Sequence, residues 1–389
     1  MPSEVGIWEE KENDSVEYEQ ELIEYVDEIK VTTRGVDFSV RELKMLIEDE
    51  DLMVPKFQRE LVWDPKRKSR FIESILLGYP IPGMFFTELE NGQMLIIDGQ
   101  QRVNTLVEFI NNQFKILNRN DINPKWRGMT FFELEKEYQR KLQNSNIRAS
   151  VFQILSDETD RNLALYSLFE RINTGSIQLN SQEIRRAIYF GEFTIQLDNF
   201  VKKDLWISAY KNVSMENARD LKKDLRLHDQ EIIARYFTIK NLKASGKLKT
   251  NVSFKKEINS LMARMNYIEG FIIQKMFEDL EIYLVWLNNN VDLPLGYLFR
   301  RPSMTEEINT ENIDEAFKGK KFNISLFESI ILGLSEQKTE GLKFDTDGFI
   351  KLFTDGDFIT AISTQTNKIE NINYRINAVR GLFSNDNSN

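Results

Sequence analysis

The first half of the chain combines short apolar runs with helical periodicity. Met84–Leu89 and Gln93–Ile97 are apolar-rich runs separated by Asn91-Gly92, a dipeptide typical of the tight turn of a β-hairpin. Four apolar residues then recur at helical spacing, namely Val103, Leu106, Val107 and Ile110. The pattern therefore predicts a hairpin whose second strand is buried and is followed directly by a helix.

Capping residues predict where several helices begin. Three candidate starts are Ser39 with Glu42, Asp64 with Pro65, and Asn180 with Glu183. The helix that begins at Pro65 is expected to end at Gly78. Two further helices and one strand complete this half: Thr130–Leu142, Asp160–Phe169 and Ala149–Leu155.

Beyond about Phe193 the hairpin signals fade and helical spacing dominates. One example is the 4, 3, 4, 3 spacing of Phe254, Ile258, Leu261, Met265 and Ile268. We therefore predict an α+β fold class with four parts. They are an acidic tail (1–32), a mixed domain (33–192), a mostly α-helical domain (193–380) and a polar tail (381–389).

Composition and charge exclude several classes of protein. The chain has 389 residues, no cysteine and one histidine, His228, so disulfides, zinc–thiolate sites and Ser-His-Asp triads of the usual pattern are not expected. No phosphate-binding P-loop motif occurs. With no apolar run of membrane-spanning length and no secretion signal at the first residues, a cytoplasmic protein without a membrane partner is expected.

The formal net charge of −10 is concentrated at the N-terminus. Residues 1–30 carry eleven acidic side chains but only Lys11 and Lys30 as basic ones, so the rest of the chain is nearly neutral. A solubilising, disordered tail is one interpretation. The alternative is a tail that imitates nucleic acid and covers a basic groove.

The junction between the predicted hairpin and its helix carries the most informative chemistry. Asp98-Gly99 forms the turn, which places Gln100, Gln101 and Arg102 at the amino end of the helix. Free N–H groups and the helix dipole favour an anion there, Gly99 permits close approach to the backbone, and Arg102 can clamp a phosphate. The alternative is a structural corner with Asp98 as N-cap and Arg102 in solvent.

Two other polar segments are candidates for phosphate contact. Before the helix at Pro65, Gln58, Arg59 and Trp63 can contact phosphates or bases, although a loop anchored by a core tryptophan is the alternative. Four basic residues at that helix start are candidate DNA contacts, and a solvated helix face is the alternative: Lys66, Arg67, Lys68 and Arg70.

The second segment runs from Phe169 to Gly175. Arg171 and Asn173 suit a second phosphate or metal contact, and the alternative is an ordinary helix end with a glycine stop. Glu183 is either a metal ligand or the second member of a capping box.

Three blocks in this order resemble a known family. They are Pro55-Lys-Phe-Gln58-Arg59…Trp63, Asp98-Gly-Gln-Gln-Arg102…Thr105-Leu106 and Phe169…Asn173-Thr-Gly175…Leu179-Asn-Ser-Gln-Glu183. Together they resemble the N-terminal domain of GmrSD-type, modification-dependent restriction enzymes, a family similar in fold to ParB and sulfiredoxin. A weaker likeness continues through Arg226…Asp229…Glu231…Arg235 and around Ala361–Arg375.

The resemblance implies a domain that binds and hydrolyses a nucleoside triphosphate, with magnesium, in phage defence. Gly99–Arg102 matches the G-x-x-R box that holds the triphosphate in ParB-like proteins, and Asn173 and Glu183 keep the ten-residue spacing of a second ParB box. The acidic metal ligand that precedes this Asn in ParB is Ile172 here. Glu170 or Asp98 is a possible substitute, and we name Asp98, Asn173 and Glu183 as metal candidates.

The site residues are expected to form two groups, one that binds the nucleotide and one that takes part in catalysis. The predicted nucleotide-binding residues are Gln58, Gly99, Gln100, Arg102, Thr105, Arg171 and Asn173. The predicted catalytic residues are Asp98, Gln101, Arg102 and Arg59. Catalysis would rest on positioning and charge neutralisation.

Three hypotheses follow, in order. The first is an NTP-hydrolysing anti-phage factor that acts on or senses DNA. The second is a non-enzymatic nucleotide switch that engages DNA or a partner effector, and the third is a DNA nickase that uses the same pocket. Because the chain has no histidine cluster for the nuclease module of such restriction enzymes, cleavage of that type would require a partner nuclease subunit. An oligomer is possible.

Overall fold

The computed structural model describes most of the chain beyond the acidic N-terminal residues. The described residues are 31–53, 63–89, 91–155, 158–172, 180–218, 227–303, 308 and 312–385. No helix within these ranges is both long and apolar enough to cross a lipid bilayer.

The first part of the described chain contains five strands and six helices. In chain order they are β1 (Val31–Ser39), α1 (Val40–Glu48), β2 (Leu52–Met53), α2 (Pro65–Leu77), β3 (Met84–Glu88), β4 (Met94–Asp98), α3 (Gln100–Ile110), α4 (Lys136–Gln143), β5 (Asn146–Ile154), α5 (Glu158–Ile172) and α6 (Ser181–Ile188). The combination confirms the predicted α+β class, and the likeness to ParB stays a prediction.

The second part is mostly helical. Its elements are α7 (Glu192–Phe200), α8 (Asp204–Lys211), α9 (Met215–Ala218), α10 (His228–Ala244), α11 (Phe254–Met265), α12 (Gly270–Asn290), α13 (Leu295–Leu298), α14 (Ile313–Phe317), α15 (Ile324–Ser335), β6 (Leu342–Phe344), α16 (Thr346–Leu352), α17 (Gly356–Ser363), α18 (Ile369–Arg380) and β7 (Phe383–Asn385).

The five strands of the first part form one mixed sheet in the order β1-β5-β3-β4-β2. β3 and β4 are the antiparallel hairpin that the sequence predicts, with Phe86 opposite Ile96. β2 lies parallel to β4, with Met53 opposite Leu95, and β3 lies parallel to β5. Because β2 and β4 run in the same direction, the carboxyl ends of both strands lie at the same end of the sheet.

Alternation along β4 gives the sheet two covered faces. Ile96 packs in the core that the sheet shares with α1, α2, α3 and α4. Leu95 and Ile97 point to the opposite face and pack against Tyr166 and Phe169 of α5 and Ile184 of α6. The sheet is therefore a central layer between helices, and β4 has helices on both sides.

Local signals predicted the helix ends well. Ser39 and Glu42 form a capping box at α1, Asn180 and Glu183 form one at α6, and the Asp64 side chain caps α2. α2 ends at Gly78, which is left-handed with φ +83°. These starts and stops are confirmed.

Some predicted limits were wrong. The expected helix over 130–142 is shorter, because residues 130–135 form turns in which Glu133 accepts a hydrogen bond from the Thr130 amide, 2.7 Å from N to O. The strand at 149–155 begins earlier, at Asn146, and β1 was not predicted. The helix through Phe254 ends at Met265, before Ile268. The expected polar tail from 381 overlaps β7, where Phe383 is buried.

The hydrophobic cores change near the predicted domain boundary. The clusters on the two faces of the sheet use residues up to Ile188, and the large helical core begins at Tyr189. The boundary near 192 itself stays a prediction.

A buried set of charges lies inside the helical part. Glu328 of α15 is fully buried and accepts hydrogen bonds from Arg235 Nε at 2.9 Å and Arg375 Nη2 at 2.7 Å. Burial lowers the pKa of Arg375 to about 10, while the Glu328 carboxylate opposes that shift. Arg375 therefore stays charged at neutral pH, and one carboxylate bridges two arginines, on α10 and α18.

Glu328→Gln is expected to destabilise the fold by about 3–5 kcal/mol, because it leaves two buried guanidinium groups without a counter-charge. Glu336→Gln is the matched control, since Glu336 also joins two cations, Lys243 and Arg380, but near the surface. That control is expected to cost no more than about 1 kcal/mol. Urea unfolding of both variants measures the difference, and equal losses would contradict a special role for burial.

Candidate functional site

The candidate site begins where β4 turns into α3. Gly99 is the N-cap of α3 and is left-handed, with φ +106°, and no side chain caps the helix. Asp98 is therefore not the N-cap, contrary to the structural alternative considered from the sequence. The first-turn N–H groups of α3, at Gln100, Gln101 and Arg102, keep the positive end of the helix dipole uncapped by a side chain.

Gly99 is required for packing as well as for its backbone angle. A Cβ atom at this position would lie 2.7 Å from Met84 Cγ and 2.9 Å from Met84 Cβ. The room left by the missing side chain is thus filled by Met84 of the neighbouring strand β3. The sequence predicts that a phosphate approaches the backbone here. In the structure Met84 occupies the space beside Gly99.

Arg102 does not point into bulk solvent. Its side chain is 12% exposed, and Nη2 donates to Asp98 Oδ2 at 2.6 Å. Nη1 donates to the carbonyls of Pro82 and Gly83, the latter at 3.2 Å. Burial lowers the pKa of the Arg102 guanidinium, and the Asp98 carboxylate opposes this effect.

These contacts change the expected role of Arg102. Its charge is matched by Asp98, and the guanidinium ties the first turn of α3 to the segment before β3. We therefore describe Arg102 as a positioning residue for the corner, with Nε and one proton of Nη2 making no hydrogen bond among the described residues.

Three other predicted residues of α3 differ in their surroundings. Gln100 is 7% exposed, and its Nε2 is buried with no hydrogen-bond partner in the described structure. Gln101 Oε1 accepts a hydrogen bond from the Trp63 amide at 2.9 Å. Thr105 is 1% exposed and its hydroxyl donates to the Gln101 carbonyl, so this side chain packs within α3 and is not presented to a ligand.

The polar segment with Gln58 and Arg59, predicted to contact phosphates, lies outside the described residues. The residues on either side of it do border the corner. Met53 packs with Leu95 and Ile97 of β4, and the Trp63 amide is held by Gln101. Both ends of that segment are therefore fixed beside the β4–α3 junction.

The third block borders the same strand. Arg171 is exposed near the end of α5, and Ile172 packs against the cluster that contains Leu95 and Ile97. Asn173 lies outside the described residues. Glu183 is 1% exposed and accepts a hydrogen bond from the Asn180 amide at 2.6 Å, as expected of a capping box.

The magnesium site predicted from the resemblance stays a prediction. The described residues contain no group of three or more His, Cys, Asp or Glu side chains that could hold a metal ion. Asp98 is paired with Arg102, Glu183 caps α6 and Glu170 is paired with Lys255 at 2.7 Å. Asp98 and Glu183 therefore both have partners within the protein, and their predicted metal role stays a prediction.

The basic residues of α2 are only partly available to a ligand. Lys68 forms an ion pair with Glu108, and Arg70 contacts Asp121 at 2.9 Å. Arg67 is half exposed, 3.6 Å from Asp64, and Lys66 is exposed at the helix start. Of the four, Lys66 and Arg67 thus have no ion pair shorter than 3.6 Å among the described residues.

Two buried polar side chains on α5 and α6 were missed by the sequence analysis. Gln182 is fully buried, and neither its Oε1 nor its Nε2 has a hydrogen-bond partner in the described structure. The hydroxyl of Tyr166, which is 2% exposed, is in the same situation. Only tertiary burial makes these groups unusual, so no local sequence signal could identify them.

Comparison with known families places one part of the chain. Residues 43–190 match the family model described as "GmrSD restriction endonuclease, N-terminal domain". The match covers less than half of the chain, but it includes all three blocks that carried the resemblance. That part of the chain is therefore similar to the GmrSD N-terminal domain. Comparisons with curated proteins and with solved structures gave no match.

Gly99→Ala is expected to destabilise the domain through both the backbone and the clash with Met84. A left-handed alanine costs about 1–2 kcal/mol, and overpacking against Met84 adds about 1–3 kcal/mol. Gly92→Ala is the control, because Gly92 has φ +83° but nothing within 4 Å of a new Cβ. Thermal unfolding compares the two variants, and an equal loss at Gly92 would mean that Met84 imposes no constraint.

Proposed function

We propose that this chain is a restriction-type anti-phage protein whose sheet-containing domain binds and hydrolyses a nucleoside triphosphate, and which acts on or senses DNA. The observation that carries the proposal is the match of residues 43–190 to the GmrSD N-terminal domain. The β4–α3 corner is the proposed nucleotide site within that domain.

The geometry of the corner supports an anion as ligand. Helix α3 has no side-chain cap, so its first amides are directed towards whatever lies at the amino end. Gln100 adds a buried donor with no partner, which is an unfavourable arrangement in the absence of a ligand. A triphosphate accepts hydrogen bonds from both kinds of group.

The remaining groups contribute from the edges of the corner. Arg102 fixes the turn beside the amides through its ion pair with Asp98. Gln58, Arg59 and Asn173 belong to segments whose described ends are held next to β4 and α3, at Met53, Trp63 and Ile172. In the proposal these residues close the site, and Gln101, Asp98 and Arg59 position the phosphates and the attacking water.

A second candidate is a nucleotide switch without hydrolysis. It is favoured by the pairing of Asp98 with Arg102, because a carboxylate held in an ion pair is less able to position water. In that case nucleotide binding alters how the protein engages DNA or a partner, and cleavage is the task of another subunit.

The central experiment is phosphate release by the full chain with each nucleoside triphosphate and magnesium, with and without phage DNA. Release is expected and would support the enzyme. Binding without release, measured by calorimetry, would favour the switch. Absence of binding for every nucleotide would refute both.

Gln100→Met is expected to weaken nucleotide binding about tenfold, equivalent to about 1.4 kcal/mol, without lowering the melting temperature. The substitution preserves side-chain size and removes a buried donor that has no partner in the protein. Unchanged affinity would exclude Gln100 from the site.

Gln139→Met is the matched control. Gln139 is also 7% exposed, but its Nε2 donates to the Leu134 carbonyl at 2.8 Å. Its loss leaves a buried acceptor unpaired, so about 1–3 kcal/mol of stability should be lost while nucleotide affinity is unchanged.

DNA binding is expected to depend on Lys66 and Arg67. Replacing both with serine should weaken binding to duplex DNA of any sequence. The slope of the logarithm of the binding constant against the logarithm of the salt concentration should become shallower by about one for each lost phosphate contact. Replacing the exposed pair Lys247 and Lys249 with serine is the control for net charge. An equal effect of both double variants, in fluorescence anisotropy, would argue against α2 as the contact.

A further inference from the structure

Helix α12 has apolar seams on two opposite faces. The inner seam is fully packed and has the spacing 4, 3, 4, 3: Ile273, Phe277, Leu280, Leu284 and Leu287. The outer seam repeats that spacing and is exposed: Phe271, Lys275, Glu278, Ile282 and Val285. Such spacing is typical of a helix that packs lengthwise against a neighbour, here on both sides.

The outer seam exposes large apolar side chains that the fold does not use. Phe271 is 67% exposed, Ile282 is 56% exposed and Val285 is 43% exposed. Ile268, which is 39% exposed, extends the same seam just before α12 begins. A row of exposed apolar residues along one helix face is characteristic of an interaction surface.

The order of residues along the outer seam is complementary to itself. In an antiparallel pair centred between residues 276 and 277, Phe271 of one copy faces Ile282 of the other, and Ile268 faces Val285. In the same register Lys275 faces Glu278, and the two-fold axis produces that ion pair twice. A parallel pair would instead place Lys275 opposite Lys275.

The charged pair at the centre is available for such contacts. Lys275 makes no hydrogen bond or ion pair within the described chain, and Glu278 Oε1 accepts one hydrogen bond, from Gln274 Nε2 at 2.8 Å. Both side chains are exposed. Charge complementarity thus favours a second copy of this chain as the occupant, in the antiparallel register centred between residues 276 and 277.

The surface beside Ile282 provides room for the partner's Phe271. An open depression of about 430 Å³ is lined by Asp279, Ile282, Tyr283 and residues 337–340. In the antiparallel register the partner's Phe271 ring lies over Ile282, at the edge of this depression.

We propose that two copies of this chain associate through their α12 outer seams in an antiparallel, two-fold arrangement. The contact from Phe271 to Val285 within α12 is about 21 Å long at about 1.5 Å per residue. One pair of helices of this length buries less than the roughly 1,600 Å² of a standard interface, so the dimer is weak and depends on protein concentration.

Sedimentation velocity of the full chain over a range of concentrations tests the proposal. The wild-type protein is expected to form dimers as concentration rises. Lys275→Glu and Glu278→Lys should each weaken dimerisation by about tenfold or more, because each sets like charges opposite one another twice. The double variant, Lys275→Glu with Glu278→Lys, should restore it.

Restoration by the double swap separates this register from other contacts. Ile282→Asp should abolish the dimer. Lys249→Glu, which makes the same charge change as Lys275→Glu at an exposed lysine off the seam, should leave it intact. Circular dichroism melts check that each variant folds. A chain that is monomeric at every concentration, a double swap that fails to restore dimers, or a dimer insensitive to Ile282→Asp would each overturn the proposal.

Discussion

The β4–α3 corner depends on a guanidinium group that has been largely removed from water. Arg102 reaches back from α3 to the Asp98 carboxylate at the end of β4 and to the carbonyls of Pro82 and Gly83. A charge in such a place is tolerated only with a partner and satisfied hydrogen bonds. The pair therefore fixes the direction in which the first turn of α3 leaves the sheet, and Gly99 is the residue that permits the turn.

This arrangement determines what kind of anion site the corner can be. Since Asp98 cancels the charge of Arg102, the field that remains at the amino end of α3 is mainly that of the helix dipole, equivalent to about half a positive charge. In the proposed nucleotide site, the amides and the Gln100 side chain would then carry most of the recognition. Such a site would discriminate by hydrogen-bond geometry rather than by bulk charge, in keeping with a chain that is nearly neutral beyond its acidic first 30 residues.

What the sequence predicted correctly was encoded locally. The Ser39 and Asn180 capping boxes, the Asp64-Pro65 start and the Asn91-Gly92 hairpin depend on residues within a few positions of one another. β1 was missed because its residues are mostly exposed and it is held by pairing with β5, more than one hundred positions away. The turn between β4 and α3 was predicted from Asp98-Gly99, but Asp98 and Arg102, four residues apart, were interpreted as ligand-binding groups and not as an ion pair. The burial of Gln100, by contrast, is decided by distant segments that no local pattern reveals.

Helix α6 connects the candidate site with the helical part of the molecule. Ile184 packs on Leu95 and Ile97, the strand residues that lead into Asp98. The next residue, Arg185, points to the other side, where it binds Glu231 of α10 at 2.7 Å and Asn259 of α11 at 2.8 Å. Because Arg185 is fully buried, α6 cannot shift relative to α10 without exposing or separating that charge pair. A ligand that displaces α6 therefore acts on a helix anchored in both parts, which is the physical route by which the proposed nucleotide site would reach the helical part.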